Sequence, residues 1–431
     1  MAGNARVPAE IVALLRPDDT LAVPIATGQP RSILRALGER TDWRDLCLFT
    51  GLLTEPYSIL LQPSVRLVSG FFGPVERMLR DGGARVEYLP RAFLGWVSFA
   101  EALRPRVVLA ALSPPDGDGF CSFGLHAGAT FDEFLAAARD PTRLAIAELN
   151  ETMPRVHGIA ELGGHRIHVD ALDAYCTSDE PVFEVAEQVA NSDETAIARF
   201  VEEEIAPGAT LQIGIGSVPD MVARLLAKGS KGDFGIHSEM MVDGIRHLHA
   251  AGKVSDRKGI YDGFSVSTFA AGTRALYDWL DGNPRVRFLP VQHVNDPAIV
   301  RRNRSMISIN GAMAIDLAGQ VMADTRGGQQ YSGVGGQEEF VIGAQGSAGG
   351  KSFFCLKSTA VSDGKRISTL VPSLGTDLVT TPRHHVQYVV TEHGIADLTL
   401  ATDVQRAREL TRIAHPDFRP ELERAAQLRW H

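Results

Sequence analysis

Cysteine is scarce and scattered. Cys47, Cys121, Cys176 and Cys355 are the four in the chain and none belongs to a C-x-x-C pair. A disulfide framework and the common zinc spacings are therefore not expected, and buried thiols in a reducing cytoplasm are. Long apolar runs are missing as well. The opening "MAGNARVPAEIVALLRPDD" holds only a short apolar patch before charge resumes, and no later run reaches the length of a membrane span. The expectation is a cytoplasmic protein with no membrane partner. Nor is there an excess of basic charge: 43 Lys and Arg stand against 52 Asp and Glu, a net charge of −9. The chain as a whole offers no attraction to phosphate backbones, so nucleic acid is not expected as a partner, although a local basic groove is compatible with an anionic cofactor.

What is present is an ordinary globular composition. In 431 residues, 44% are apolar, 22% are charged and 42 are glycine, enough to bury substantial cores and to build two domains. "RVVLAAL" (106–112), "RLAIAEL" (143–149), "TLQIGIG" (210–216) and "VQYVVTE" (386–392) have the pattern of buried strands. "DEFLAAARD" (132–140) and "PDMVARLLAKG" (219–229) have helical spacing. This alternation predicts an α/β fold with largely parallel sheets. The halves also look related, since "PDDTLAVPIATGQPRSILRAL" from Pro17 matches "PGATLQIGIGSVPDMVARLL" from Pro207 in its turn, strand, turn and helix. Two related domains are expected, 1–188 and 189–431, joined within the polar stretch 184–200.

Two glycine-bearing loops and one acid stand out. In "LQIGIGSVPDMVARLL", Gly216 lets the chain turn sharply from strand to helix, and Pro219 falls in the first helical turn, where its missing N–H costs little. Free backbone N–H groups there suit a phosphate or an oxyanion. As a motif the stretch is only G-x-G-x-x-P, with proline where a dinucleotide fingerprint has its third glycine, and a plain tight turn explains it equally well. Glu239 follows in "GIHSEMMVDG", between the strand candidate "DFGIH" and a helix marked by Met241, Ile245 and Leu248 and ended by Gly252. Three readings compete for it: an acid complementing a helix dipole, a ribose ligand, or a carboxylate nucleophile attacking an activated carbonyl. Spacing alone does not choose. In "YSGVGGQEEF" (331–340), Gly333, Gly335 and Gly336 allow close backbone approach to a ligand, and Gln337 adds a neutral donor. A flexible surface loop is the structural alternative.

Other features read as structural. Asp116 and Asp118 in "SPPDGDGFCSFG" are too few for a calcium loop. His247 and His249 point in different directions on one helix, and no metal site is expected. "QGSAGG" lacks the spacing of a serine-hydrolase elbow.

Taken together, "SPPDGDGFCSFG", "NETMPRVHG" at 150, "GIGSVPD" at 214, "GIHSEMMVDG" at 235, "FLPVQHVNDP" at 288, "YSGVGGQ" at 331, "STA" at 358 and "VVTEHGIADL" at 389 resemble the acetyl-CoA hydrolase/transferase family. Within it the likeness is to class I CoA-transferases such as the 4-hydroxybutyrate and butyrate enzymes. The resemblance implies two open α/β domains of the CoA-transferase (NagB/RpiA-like) type with the active site at their interface, and a homodimer. It makes Glu239 the catalytic glutamate. It places Gly216, Ser217, Val218, Pro219 and Asp220 on one side of coenzyme A, and Gly333, Val334, Gly335, Gly336 and Gln337, with Ala360 of "STA", on the other. The implied substrates are an acyl-CoA, acetyl-CoA among them, and a small carboxylic acid. The implied chemistry passes through an acyl-glutamyl anhydride and a glutamyl-CoA thioester.

The chain departs from the family pattern at Ala314, where an acid is expected before Ile315 and Asp316, and at Lys357 and Val361, where a proline and a lysine are common. Net acyl-CoA hydrolysis on the same residues, a nicotinamide-dependent oxidoreductase, and a non-catalytic CoA-binding protein are the alternatives. Pro219 counts against the second, and Ala314 gives the third some support.

Overall fold

The computed structural model describes residues 4–430. The chain divides into two compact units, the first running to Ala186 and including Val266–Val294, the second comprising Glu187–Ser265 and the chain from Asn295 onward. Backbone bonds tie the inserted segment into the first unit: Ala127 N–H donates to Thr268 O (2.8 Å), Gly282 N–H to Arg155 O (2.9 Å) and Phe288 N–H to His157 O (2.8 Å).

The first unit is built on a seven-stranded sheet. Its strands are β1 (Thr20–Ala22), β2 (Leu46–Thr50), β3 (Val65–Ser69), β4 (Val86–Tyr88), β5 (Val107–Leu112), β6 (Leu144–Asn150) and β7 (Ala174–Ser178). They run parallel in the order β4-β3-β2-β1-β5-β6-β7. Every residue of β2 and β5 is buried, as a parallel sheet covered on both faces requires. Ile33, Leu34 and Leu37, on the helix Arg31–Glu39, pack onto this core with Leu21, Leu48 and Leu109. The amino end of that helix holds an anion of the chain's own: the buried Glu148 on β6 accepts from Ser32 N–H (2.8 Å) and Ser32 Oγ (2.6 Å).

The second unit carries β8 (Thr210–Gln212), β9 (Gly235–Ile236), β10 (Met306–Gly311), β11 (Lys351–Cys355), β12 (Tyr388–Thr391) and β13 (Gly394–Asp397). The sheet order is β9-β8-β10-β11-β12-β13, parallel except for the antiparallel β13. Five strands of each sheet therefore follow one scheme, β2-β1-β5-β6-β7 in the first and β9-β8-β10-β11-β12 in the second. The paired sequences from Pro17 and Pro207 supply β1 and β8, and the strand-turn-helix repeat read from them is present in both units.

All four cysteines are buried and unpaired. Burial pushes the thiols of Cys121 and Cys176 up to about 11 and that of Cys355 up to about 12, so they act as small apolar side chains. His247 and His249 do diverge on their helix, the former to Glu187 Oε1 (3.1 Å) and the latter to Ser265 Oγ (2.8 Å). Among the described residues no helix is long and apolar enough to cross a membrane.

Two histidines in the core of the first unit make its stability depend on pH. Burial drives His126 down to about 3 and His165 down to about 4, from about 6.5 in an unfolded chain. Below about pH 6.5 the unfolded state takes up protons that the folded state refuses, so their stabilising contribution is complete above that pH and is lost as the pH falls toward the folded values. The difference in unfolding free energy between wild type and His126→Gln should shrink by roughly 2 kcal/mol between about pH 7.5 and about pH 5. Denaturant titrations at the two pH values measure it, and a constant difference would show that His126 does not titrate as its burial dictates.

Candidate active site

Ligands of open parallel sheets bind at the carboxyl ends of the strands, and in the second unit the chain beyond β9 is stitched to the end of β8. His237 N–H donates to Leu211 O (3.2 Å). Ser238 Oγ both accepts from Ile213 N–H (3.2 Å) and donates to Ile213 O (3.0 Å). The His237 ring, fully buried, stacks on Tyr261 at 6.2 Å, and its Nδ1 accepts from Asn303 Nδ2 at 3.1 Å. These bonds fix the two residues before Glu239 and set that carboxylate at the sheet edge.

The carboxylate of Glu239 is half-buried and closely held. Asn295 Nδ2 donates to its Oε2 at 2.6 Å and also to Glu339 Oε2 at 2.7 Å. The two hydrogens of one amide thus serve two acids. The backbone N–H of Gly336 is a further donor to Glu239. Gly336 caps the helix Gln337–Gly346, and a Cβ built on it would collide with Glu239 Oε2 and Asn295 Nδ2. A side chain at 336 would therefore push the carboxylate and the amide out of place.

Sequence pattern put Glu239 in the first turn of a helix whose dipole would keep it ionised. That reading is corrected. The helix spans Asp243–Ala250, so Asp243 is its first-turn acid, while Met241 belongs to the short strand Met240–Met241. Gly244 lets this helix close onto Ser217–Lys228, since a Cβ there would lie 2.8 Å from Ala223 Cβ. Burial outweighs the donors from Asn295 and from Gly336, the cap of a different helix, and raises Glu239 to about 7.

Gly216, at φ 144°, caps the helix Ser217–Lys228, and Pro219 lies in its first turn. Gly214 through Pro219 remain partly or fully exposed, and the N–H groups of Ser217 and Val218 precede the first intrahelical bond, Asp220 N–H to Gly216 O (3.0 Å). Asp220 differs from its neighbours. It is buried beside Gly244, and its carboxyl is pushed up to about 6, chiefly by burial and secondarily by Asp243. Its carboxyl is thus not displayed on the turn. In the other loop Gly335 adopts φ 55°, and Gln337 Nε2 reaches toward Thr381 Oγ1 at 3.4 Å. Gly333 and Val334 lead into this turn, half-buried.

Ala360 stands exposed on the hairpin formed by Thr359–Ser362 and Lys365–Ser368. It lines a cleft of about 620 Å³ together with Met313, Ala314, Met322, Lys357 and Val361. The three departures from the family pattern thus share one cleft. Sequence reading did not single out Asn295 or Glu339. Asn295 lies within "HVNDP", where the following Asp296 caps the helix Pro297–Val300 and looks like the functional polar residue of the stretch. Glu339 sits among ordinary first-turn acids.

Comparison with known proteins adds to this geometry. The model of the acetyl-CoA hydrolase/transferase C-terminal domain matches residues 272–426. The chain is 41% identical to the 4-hydroxybutyrate coenzyme A transferase of Clostridium kluyveri, over 82% of this chain and 80% of that protein. It is 34% identical to the butyryl-CoA:acetate CoA-transferase of Anaerostipes caccae, over 97% and 94%. Among solved structures, RipA from Yersinia pestis superposes with a TM-score of 0.90 at 32% identity, covering 99% of this chain and 97% of that one. With that sheet order, that edge and these relatives, the chain belongs to the acetyl-CoA hydrolase/transferase family.

Proposed function

We propose that the protein transfers coenzyme A between an acyl-CoA and a small carboxylic acid, with Glu239 as the nucleophile. The observation that carries this reading is the Glu239 carboxylate itself, held between the Asn295 amide and the Gly336 N–H at the edge of a parallel sheet. Family membership weighs against the nicotinamide reading.

The steps follow from the chemistry of a carboxylate nucleophile. Ionised Glu239 attacks the thioester carbonyl, the C–S bond breaks, and an acyl-glutamyl anhydride forms with release of CoA thiolate. The thiolate, kept near by the rest of the coenzyme, attacks the Glu239 carbonyl carbon. The first acid leaves and a glutamyl-CoA thioester remains. An acceptor carboxylate attacks that thioester, and the same steps in reverse deliver the new acyl-CoA.

Two oxyanions arise in this sequence and need different donors. One develops on the acyl carbonyl, for which the exposed N–H groups of the turn at Ser217 and Val218, together with Gly335, are available. The other develops on the carbonyl of Glu239, where Asn295 Nδ2 and Gly336 N–H already bond. The cleft beside Ala360, apolar along Met313 and Met322 and cationic at Lys357 and Arg326, suits the arm of an anionic coenzyme. Water as the terminal acceptor would turn the same site into a hydrolase, an activity that the family's description also names. Rates with and without an added carboxylate separate the two.

Four outcomes are expected. Incubation with acetyl-CoA and trapping by borohydride or hydroxylamine should modify the Glu239 peptide alone, detected by mass spectrometry. Glu239→Ala should give no adduct and lose roughly a thousandfold or more in kcat; an adduct that persists in this variant would refute the nucleophile. Because the nucleophile must be ionised and burial raises Glu239 to about 7, kcat/KM should drop about tenfold per unit below that pH and level off above it. A profile flat from about pH 5.5 to 8 would mean that a different group limits the rate. Gly336→Ala, at a φ of −94° that alanine tolerates, should fold normally by circular dichroism yet lose roughly a hundredfold in kcat.

A further inference from the structure

We propose that Glu339 is a positioning residue that holds the Asn295 carboxamide toward Glu239 while Glu239 is covalently occupied. The inference rests on the transfer reading above and deepens it.

The amide of Asn295 is fully buried, and among the described residues its oxygen Oδ1 makes no hydrogen bond. A buried acceptor left unmade is costly, so the oxygen contributes nothing to fixing the group. Its orientation comes from the nitrogen, through Glu239 Oε2 at 2.6 Å and Glu339 Oε2 at 2.7 Å. A carboxylate only accepts. Turned by half a revolution, the amide would set its oxygen against two acids, and that orientation is closed.

The reaction removes one of these anchors. Once Glu239 has become an anhydride or a thioester it is neutral, its oxygen is a weaker acceptor, and its pull on the amide falls. Yet the Asn295 hydrogen is needed most at that stage, when the thiolate or the acceptor carboxylate attacks the Glu239 carbonyl and charge develops on its oxygen. Glu339 is only 6% exposed, is not consumed by the chemistry, and keeps its bond to Asn295 Nδ2 throughout. Both the Gly336 N–H and Glu339 belong to the start of the helix Gln337–Gly346. One rigid element thus supplies a donor to Glu239 and the anchor of the other donor.

Glu339→Gln tests this with almost no change of volume. A glutamine at 339 both accepts and donates, so it satisfies either orientation of Asn295 and the selection is lost. The expected result is a kcat lower by roughly tenfold, with the KM for acyl-CoA and the thermal midpoint nearly unchanged. In an Asn295→Ala background the same substitution should change kcat by less than about twofold, because the group it acts through is gone. Equal losses in both backgrounds, or an unchanged kcat in Glu339→Gln alone, would overturn the proposal. Trapping of the Glu239 adduct in wild type is run beside these assays. An adduct together with additive losses sinks only the role of Glu339, whereas no adduct sinks the transfer reading and this proposal with it.

Discussion

Gly336 meets the Glu239 carboxylate at a distance that leaves no room for a side chain, and the organisation of the second unit's sheet edge follows from that contact. To reach it, Glu239 must be delivered by a short connection clamped to the end of β8, which His237 and Ser238 accomplish through backbone and hydroxyl bonds. The opposing helix must begin exactly where its cap faces the acid, and glycine at 336 makes that start possible. Asn295 then fills the remaining side with an amide. A carboxylate so enclosed is partly stripped of water, which raises its proton affinity and, once the proton is gone, its reactivity toward a carbonyl.

Burial and donors act in opposite directions on Glu239, and the balance fits the proposed chemistry. A fully solvated glutamate would be ionised at every physiological pH but hydrated and slow. A fully buried one without donors would stay protonated. The two hydrogen bonds leave the group near neutrality, ready to lose its proton and still poorly hydrated.

Much of the scaffold was legible from residue pattern because parallel strands covered on both faces leave nearly continuous apolar runs, as in "RVVLAAL" and "RLAIAEL". The repeat was legible because a strand followed by a tight turn and a helix constrains residue types locally. Glu239 and the glycines of "GVGGQ" stood out for the same reason, as a glycine cluster and an acid at a strand end. The helix after Glu239 was misjudged by a few residues. Met241 and Ile245 are compatible with a helical face, but Met240–Met241 forms a short strand and the helix begins only at Asp243, which helical spacing alone does not record. Asn295 and Glu339 were silent for a like reason: their importance lies in facing one another and Glu239 across 44 and 56 residues of chain, and no local periodicity records that.

The first unit repeats the strand scheme of the second, but its helix end is differently employed. There Glu148 already accepts from the N–H and the hydroxyl of Ser32, so donors that an incoming anion would use are taken up within the fold itself. The shared strand scheme thus does not extend to the helix ends. One half keeps donors at its helix end engaged by its own carboxylate, whereas the corresponding turn of the other, Gly214 through Pro219, stays partly exposed.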